Sequence, residues 1–292
     1  MTKRLWIIGL FLLAGALALP LVGSGQGRKA NDELTKLTED IYVYRHLAHQ
    51  ALVITTSEGV IVTDPISQDA ATWLKAEIRT LTSQPVRYVI YSHDHADHIS
   101  GGIVYDETAT FVSHRRAREV ILAEKRLNTP VPQITFTDRL FIDLGGKRIE
   151  VIHVGKNHSD NSVVVYLPQD KLLFAVDFIP IESVAYRTMR DSYPEEWINS
   201  LRQVEQLDFE ILVPGHGMVG RKEHARMFRE YLEDLLAGVA QYVMKGASLE
   251  ETKQALRLPK YEKWNGYPDW FIENVEAMYG YISLHRPQIR KS

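Results

Sequence analysis

The chain has 292 residues, 45% hydrophobic and 24% charged, a balance that supports one or two globular domains and excludes disordered, collagen-like and coiled-coil chains. Its formal charge is −3, with 34 Lys and Arg against 37 Asp and Glu, so no basic surplus points to nucleic acid. Cysteine is absent and 11 His are present, which excludes a disulfide scaffold, an iron–sulfur cluster, a thiol nucleophile and a thiolate metal site, and leaves nitrogen and oxygen as the metal donors.

Lys3 and Arg4 precede an apolar run from Leu5 to Val22, and Ala16-Leu17-Ala18 fits a small-x-small cleavage pattern. Residues 1–25 therefore read as a secretory signal, with an uncleaved N-terminal anchor as the alternative. The protein is expected outside the cytoplasm, periplasmic or secreted, touching a membrane only through that segment if it is retained. A polar bridge, 26–39, follows.

Short apolar runs then alternate with turn signals. Strands are expected over 41–45, 51–55, 60–63, 86–91, 110–113, 133–136, 140–144, 148–153, 162–167, 172–176 and 211–213. Helical spacing marks 70–81, 115–127 and 195–204. Beyond 220 the chain reads as helices. Phe228, Tyr231, Leu232, Leu235, Val239 and Val243 form one apolar stripe, Ser248 and Glu251 a capping box, and 271–284 a last helix. The aromatic residues of this tail read as core. The order of strands and helices implies a layered α/β body, 26–220, with a C-terminal helical extension, 221–292, packed on it.

The strand over 86–91 runs directly into Ser92-His93-Asp94-His95-Ala96-Asp97-His98. His93 and His95 are separated by one residue and can face the same way in extended backbone, while Asp97 and His98 turn toward a different point. His158, Asp177 and His216 each follow a later apolar strand, where loops at one sheet edge converge. Seven donors of this kind suffice for two metal ions with room left for water. Imidazole and carboxylate suit zinc best, and iron or manganese as well.

The H-x-H-x-D-H run followed in order by His158, Asp177 and His216 resembles the metallo-β-lactamase superfamily. The resemblance covers roughly 41 to 217. It implies a four-layered αββα sandwich with two divalent metals at one edge of the two sheets. It assigns His93, His95 and His158 to the first metal, Asp97, His98 and His216 to the second, and Asp177 to both. Asp64 matches a position that often supports the metal loop. The implied activity is hydrolysis of an ester, thioester, lactone or amide-like bond of a small molecule by a metal-bound hydroxide, with Asp97 also carrying a proton. An aspartate at 177 points to the thioesterase and lactonase branches rather than to the cysteine-containing β-lactamases. The alternatives are a β-lactamase and an exported, non-catalytic metal-dependent binding protein.

Other polar residues are read more plainly. His46 and His49 lie near a strand end, where they could flank the site, and are taken as partly exposed. His153 is expected to pack at its strand end, and His114, His224 and His285 to lie on the surface. Asp94 and Asp160 either orient an imidazole or face water. Tyr186, Arg187 and Arg190 follow Asp177 in a loop that could border the pocket.

Overall fold

Along residues 49–56 the side chains alternate between two buried environments. Leu52 and Ile54 face one apolar layer, and Ala51 and Val53 face another. The same alternation recurs at Leu172 and Phe174 against Leu173 and Ala175. A strand with both faces buried must lie inside a layered structure. The computed structural model, which describes residues 32–267 and 269–286, has that architecture. Residues 1–25, read as a signal, lie outside the described residues.

The first sheet contains β1 (Asp32–Lys36), β2 (Ile41–His46), β3 (His49–Thr56), β4 (Gly59–Thr63), β5 (Val86–Ile90), β6 (Thr110–His114) and β7 (Ile134–Phe136), hydrogen-bonded in that order. β1 to β4 pair antiparallel, and β4 to β7 parallel. Helices α1 (Gln68–Leu81), α2 (Ala96–Ile99) and α3 (Arg115–Glu124) fall between the parallel strands. The second sheet contains β8 (Arg139–Leu144), β9 (Lys147–Ile152), β10 (Val164–Leu167), β11 (Leu172–Val176), β12 (Ile211–Pro214) and β13 (Gly220–Arg221), ordered from β13 to β8. Helix α4 (Pro194–Val204) joins β11 to the parallel strand β12. Then come α5 (Lys222–Met244), α6 (Leu249–Ala255) and α7 (Asp269–His285).

Three buried clusters define the layers. Ile41, Leu52, Ile61 and Val112 of the first sheet meet Ile149, Val151, Val165 and Phe174 of the second. Outside the first sheet, Leu74 and Ile78 of α1 pack on Val53, Val62 and Val89. Outside the second, Trp197 and Leu201 of α4, Phe228 and Leu232 of α5 and Val275 of α7 pack on Leu173 and Ala175. The architecture is the αββα sandwich, closed on one side by the C-terminal helices. Those helices are tied to the loop after β11. The buried amide of Asn274 accepts from Tyr231 Oη at 2.6 Å and donates to the carbonyl of Ala185 at 3.0 Å.

Two features differ from the sequence reading. β1 lies within the stretch taken as a polar bridge. Its sequence, DELTK, carries little apolar alternation, and it pairs as an edge strand, with Asp32 Oδ1 reaching Tyr44 Oη at 2.7 Å and His46 Nδ1 at 2.6 Å. His114 is not a surface residue. It is 4% exposed and stacks on His153 with ring centroids 4.2 Å apart. Its Nε2–H donates to the Thr137 carbonyl while Nδ1 accepts from the Arg116 N–H, capping α3. Burial and the neighbouring His153 lower its pKa to about 4.

Candidate metal centre

β5 ends at Ile90, and the chain leaves the sheet through Tyr91 and Ser92 into the histidine loop and the single turn of α2. Two contacts hold this loop. Asp64, immediately beyond β4 and fully buried, accepts the Ser92 N–H at 2.8 Å. Asn161 accepts the Asp94 N–H at 3.0 Å and donates to Asp94 Oδ1 at 2.8 Å. The loop carrying His158 is folded on itself by buried Asn157, whose Oδ1 accepts the His158 N–H at 2.7 Å and whose amide donates to the Gly155 carbonyl at 2.9 Å. Asp177 follows β11, and His216 follows β12, its neighbour in the second sheet.

All seven predicted residues converge, in two groups. His93, His95, His158 and Asp177 form one, with their donor atoms within 4.8 Å of one another. Asp97, His98 and His216 belong to the other, together with His49. Asp177 also faces both. Its Oδ2 lies 3.9 Å from His93 Nε2 and 3.6 Å from His158 Nε2. Its Oδ1 lies 3.2 Å from His216 Nε2 and 3.3 Å from His98 Nε2. Room for this carboxylate comes from Gly215, where a Cβ would stand 2.6 Å from Oδ1 and 3.0 Å from His98 Cε1.

The rings are oriented from behind. His93 Nδ1 is engaged by Ser92 Oγ at 2.8 Å, and His216 Nδ1 donates to the Ala48 carbonyl at 3.1 Å. His98 Nδ1 lies 3.4 Å from Asp64 Oδ2. In each case Nε2 is left to face inward, the arrangement in which an imidazole can offer that nitrogen to a metal. Ring nitrogens then crowd one another. His95 Nδ1 and His158 Nε2 are 3.1 Å apart, and His98 Nε2 and His216 Nε2 are 3.2 Å apart. His93 Nε2 and Asp177 Oδ1 are buried without a hydrogen-bond partner. Buried polar atoms left without a partner are costly, and cations among these donors remove the cost. The donor set therefore fits two divalent ions.

Electrostatics divide the rings: burial opposes a charge on His98, but Asp177 and Asp64 outweigh it and hold the ring well above the usual histidine range, so a metal there displaces a proton. Burial, reinforced by the surrounding imidazoles, holds His93 well below the usual histidine range and lowers His158 to about 4, so both are neutral and able to bind metal. Burial opposes ionisation of Asp177, but His98 and His216 outweigh it and keep the carboxyl well below the usual range. Asp97, with its side chain 53% exposed, is also held ionised. Partial burial opposes its charge, and the hydrogen bond from His49 and the charge of His98 prevail.

Several residues were not foreseen in the sequence. His49 stands in the second group rather than being a bystander. Gln50, Asn157 and Asn161 are buried polar residues that hold ligand loops. Nothing in their local sequence marks them, because each acts on a partner brought close by the fold. Asp94 and Asp160 reach arginines, at 3.6 Å to Arg126 and 2.8 Å to Arg116. Tyr186 lies in the loop after β11 and meets Trp270 of α7 edge-on, with ring centroids 5.0 Å apart.

Comparison with known proteins places this geometry in a wider group. Residues 44–216 match the pattern of the metallo-beta-lactamase superfamily. The chain is 28% identical over 203 residues to a metallo-beta-lactamase type 2 of Bacillus sp. (strain 170), covering 65% of this chain and 77% of that one. It is 27% identical over 171 residues to the 2,4-dinitroanisole O-demethylase subunit alpha of Nocardioides sp. (strain JS1661), covering 57% of this chain. The match spans about half of that relative's length, 52%. Among solved structures, a metallo-beta-lactamase from Pontibacter korlensis superposes with a TM-score of 0.63 at 22% identity, over 70% of this chain and 99% of that one. That likeness concerns the fold.

Proposed function

The chain belongs to the metallo-beta-lactamase superfamily, and from that membership we propose that it is a dinuclear-metal hydrolase of an ester, thioester, lactone or amide-like bond in a small molecule. The observation that carries the reading is Asp177, which turns one oxygen toward each imidazole group. His93, His95 and His158 would hold one ion, and Asp97, His98 and His216 the other, with Asp177 shared. Two divalent ions, zinc first and iron or manganese next, would supply Lewis acidity and a water whose pKa is lowered toward neutrality.

The protein's own residues do the rest. The Ser92 hydroxyl and the Ala48 carbonyl hold two rings from behind, and the Asp64 carboxylate faces a third at 3.4 Å, which orients them before reaction. Asp97, half exposed beside the second group, is the carboxylate placed to pass a proton to the leaving oxygen, sulfur or nitrogen.

Asp177 also bears on substrate class. A shared carboxylate lowers the net positive charge of the centre. A β-lactam expels an amide-derived anion that needs strong stabilisation, whereas esters, lactones and thioesters expel alkoxide or thiolate. The proposal therefore ranks these three above β-lactams. A second reading, β-lactamase, is favoured by the relatives named as such at 25–28% identity. The test is a panel on metal-loaded protein: aryl esters, lactones, acyl thioesters, a penicillin, a cephalosporin, a carbapenem and an aryl methyl ether. The expected kcat/KM on the best ester, lactone or thioester exceeds that on any β-lactam by about tenfold, some 1.4 kcal/mol in barrier. The reverse order would establish the second reading, and silence across the panel would indicate a binding protein. The proposal also has the protein acting after export, supported by the basic, apolar and small-residue layout of 1–25. A reporter fused after Gly27 that stayed in the cytoplasm would remove that part.

A further inference from the structure

The turn between β2 and β3 is short, and Leu47 within it has a φ of 54°, a left-handed conformation that costs a branched side chain free energy. Next to the turn, Gln50 is fully buried. The positive φ is what a two-residue hairpin loop demands, but a buried glutamine is not. Gln50 sews the hairpin tip to the loop that carries His216. Gln50 N–H donates to the Gly215 carbonyl at 2.7 Å, and its side-chain amide to the Pro214 carbonyl at 3.0 Å. In return, His216 Nδ1 donates to the Ala48 carbonyl at 3.1 Å. His49 and His216 thus stand opposite each other in a short antiparallel bridge between the two sheets.

This device delivers the His49 ring to the second donor group. Its Nε2 lies 3.2 Å from Asp97 Oδ2, and its ring centroid is 4.5 Å from that of His216 and 5.4 Å from that of His98. The donor atoms of His49, Asp97, His98 and His216 lie within 4.8 Å of one another. Nδ1 of His49 is buried and, among the described residues, has no hydrogen-bond partner. The ring therefore has no commitment in the protein other than Asp97. In the metal-free protein a proton on Nε2 bridges to the Asp97 carboxylate, and a cation shared by the two atoms would take that proton's place.

We propose that His49 is a protein ligand of the second metal position, in addition to Asp97, His98, His216 and the shared Asp177. It rests on the two-metal reading of the site. Its consequence is that a residue on the turn of the first sheet, rather than water, fills one coordination place of the second ion. That position is then more fully enclosed by protein ligands, with fewer places left for water, than it would be without His49.

The test uses the full chain, stripped with chelator and reloaded with cobalt(II), a paramagnetic stand-in for zinc. Proton NMR of the wild-type protein should show metal-shifted signals from six histidines, and His49→Gln should remove one set. Metal titration should show the affinity of one of the two ions, the one at the second position, reduced at least about tenfold in His49→Ala and His49→Gln, with the other unchanged. A His49 that only orients Asp97 could also lower affinity, so the NMR count carries the distinction. Five histidine sets in wild type, unchanged in His49→Gln, would overturn the proposal and leave the two-metal reading intact. Binding of fewer than two ions by wild type would overturn both. Because the NMR count is made on wild type, misfolding of a variant does not remove the test.

Discussion

Asp64 and Ser92, 28 positions apart in the chain, are joined by a hydrogen bond of 2.8 Å from the Ser92 N–H to Asp64 Oδ1. The other oxygen of Asp64 lies 3.4 Å from His98 Nδ1, with both side chains fully buried. One carboxylate thus fixes where the histidine loop leaves β5 and how one of its rings is turned. Asp64 does so with a φ of 32°, an unfavourable backbone conformation of the kind that collects at functional sites.

Asp64→Asn keeps an acceptor for Ser92 but removes the charge facing His98. Second-site metal affinity should fall about 10- to 100-fold, with a small loss of thermal stability. Asp64→Ala also orphans the Ser92 N–H and should cost about 1–3 kcal/mol more. Metal titration and thermal unfolding of both variants check this. Equal behaviour of Asn and the wild type would show that the charge does not act through His98.

Asp177→Ala should weaken both ions, because its two oxygens face different imidazole groups. Metal analysis after dialysis at a fixed free concentration should give fewer than two ions per chain. Gly215→Ala should produce a milder form of the same defect, since the added methyl would stand 2.6 Å from Asp177 Oδ1. Loss of one ion with the other unchanged in Asp177→Ala would assign the carboxylate to a single site.

Asp97→Asn retains an oxygen donor and removes the proton acceptor. It should lower kcat more than KM, because proton transfer belongs to the transition state. Steady-state kinetics on the best panel substrate, with metal content measured alongside, decide the matter. A fall in kcat that merely tracks metal loss would leave Asp97 as a ligand only.

His114 makes the metal-free protein sensitive to acid. Its folded pKa of about 4 lies below the unfolded value of about 6.5. Between these values the unfolded chain binds a proton that the folded chain refuses, so stability falls as pH drops through this window. The contribution is at most roughly 3 kcal/mol. His114→Asn keeps a helix-capping acceptor and should flatten the dependence of the melting temperature on pH between about 6.5 and 4. An unchanged slope would mean that the acid sensitivity lies elsewhere.

Much of the fold and centre was legible in the sequence, because the signals were local. Continuous apolar runs such as Leu172–Val176 declare strands buried on both faces, and the stripe from Phe228 to Val243 declares a helix with one apolar face. The H-x-H-x-D-H run keeps its donors within one loop, and His158, Asp177 and His216 each follow a strand. The tertiary structure decided what depends on pairings between distant segments. β1 is a strand because β2 supplies an edge for a polar segment to pair with. His114 is buried because His153 and Thr137 cover it. His49 reaches Asp97 because the tip of one sheet is hydrogen-bonded to a loop of the other, at Gly215. A residue's type and its near neighbours set what it can donate or bury. Which group it meets across 48 positions of chain, as His49 meets Asp97, is set by the register and packing of the two sheets.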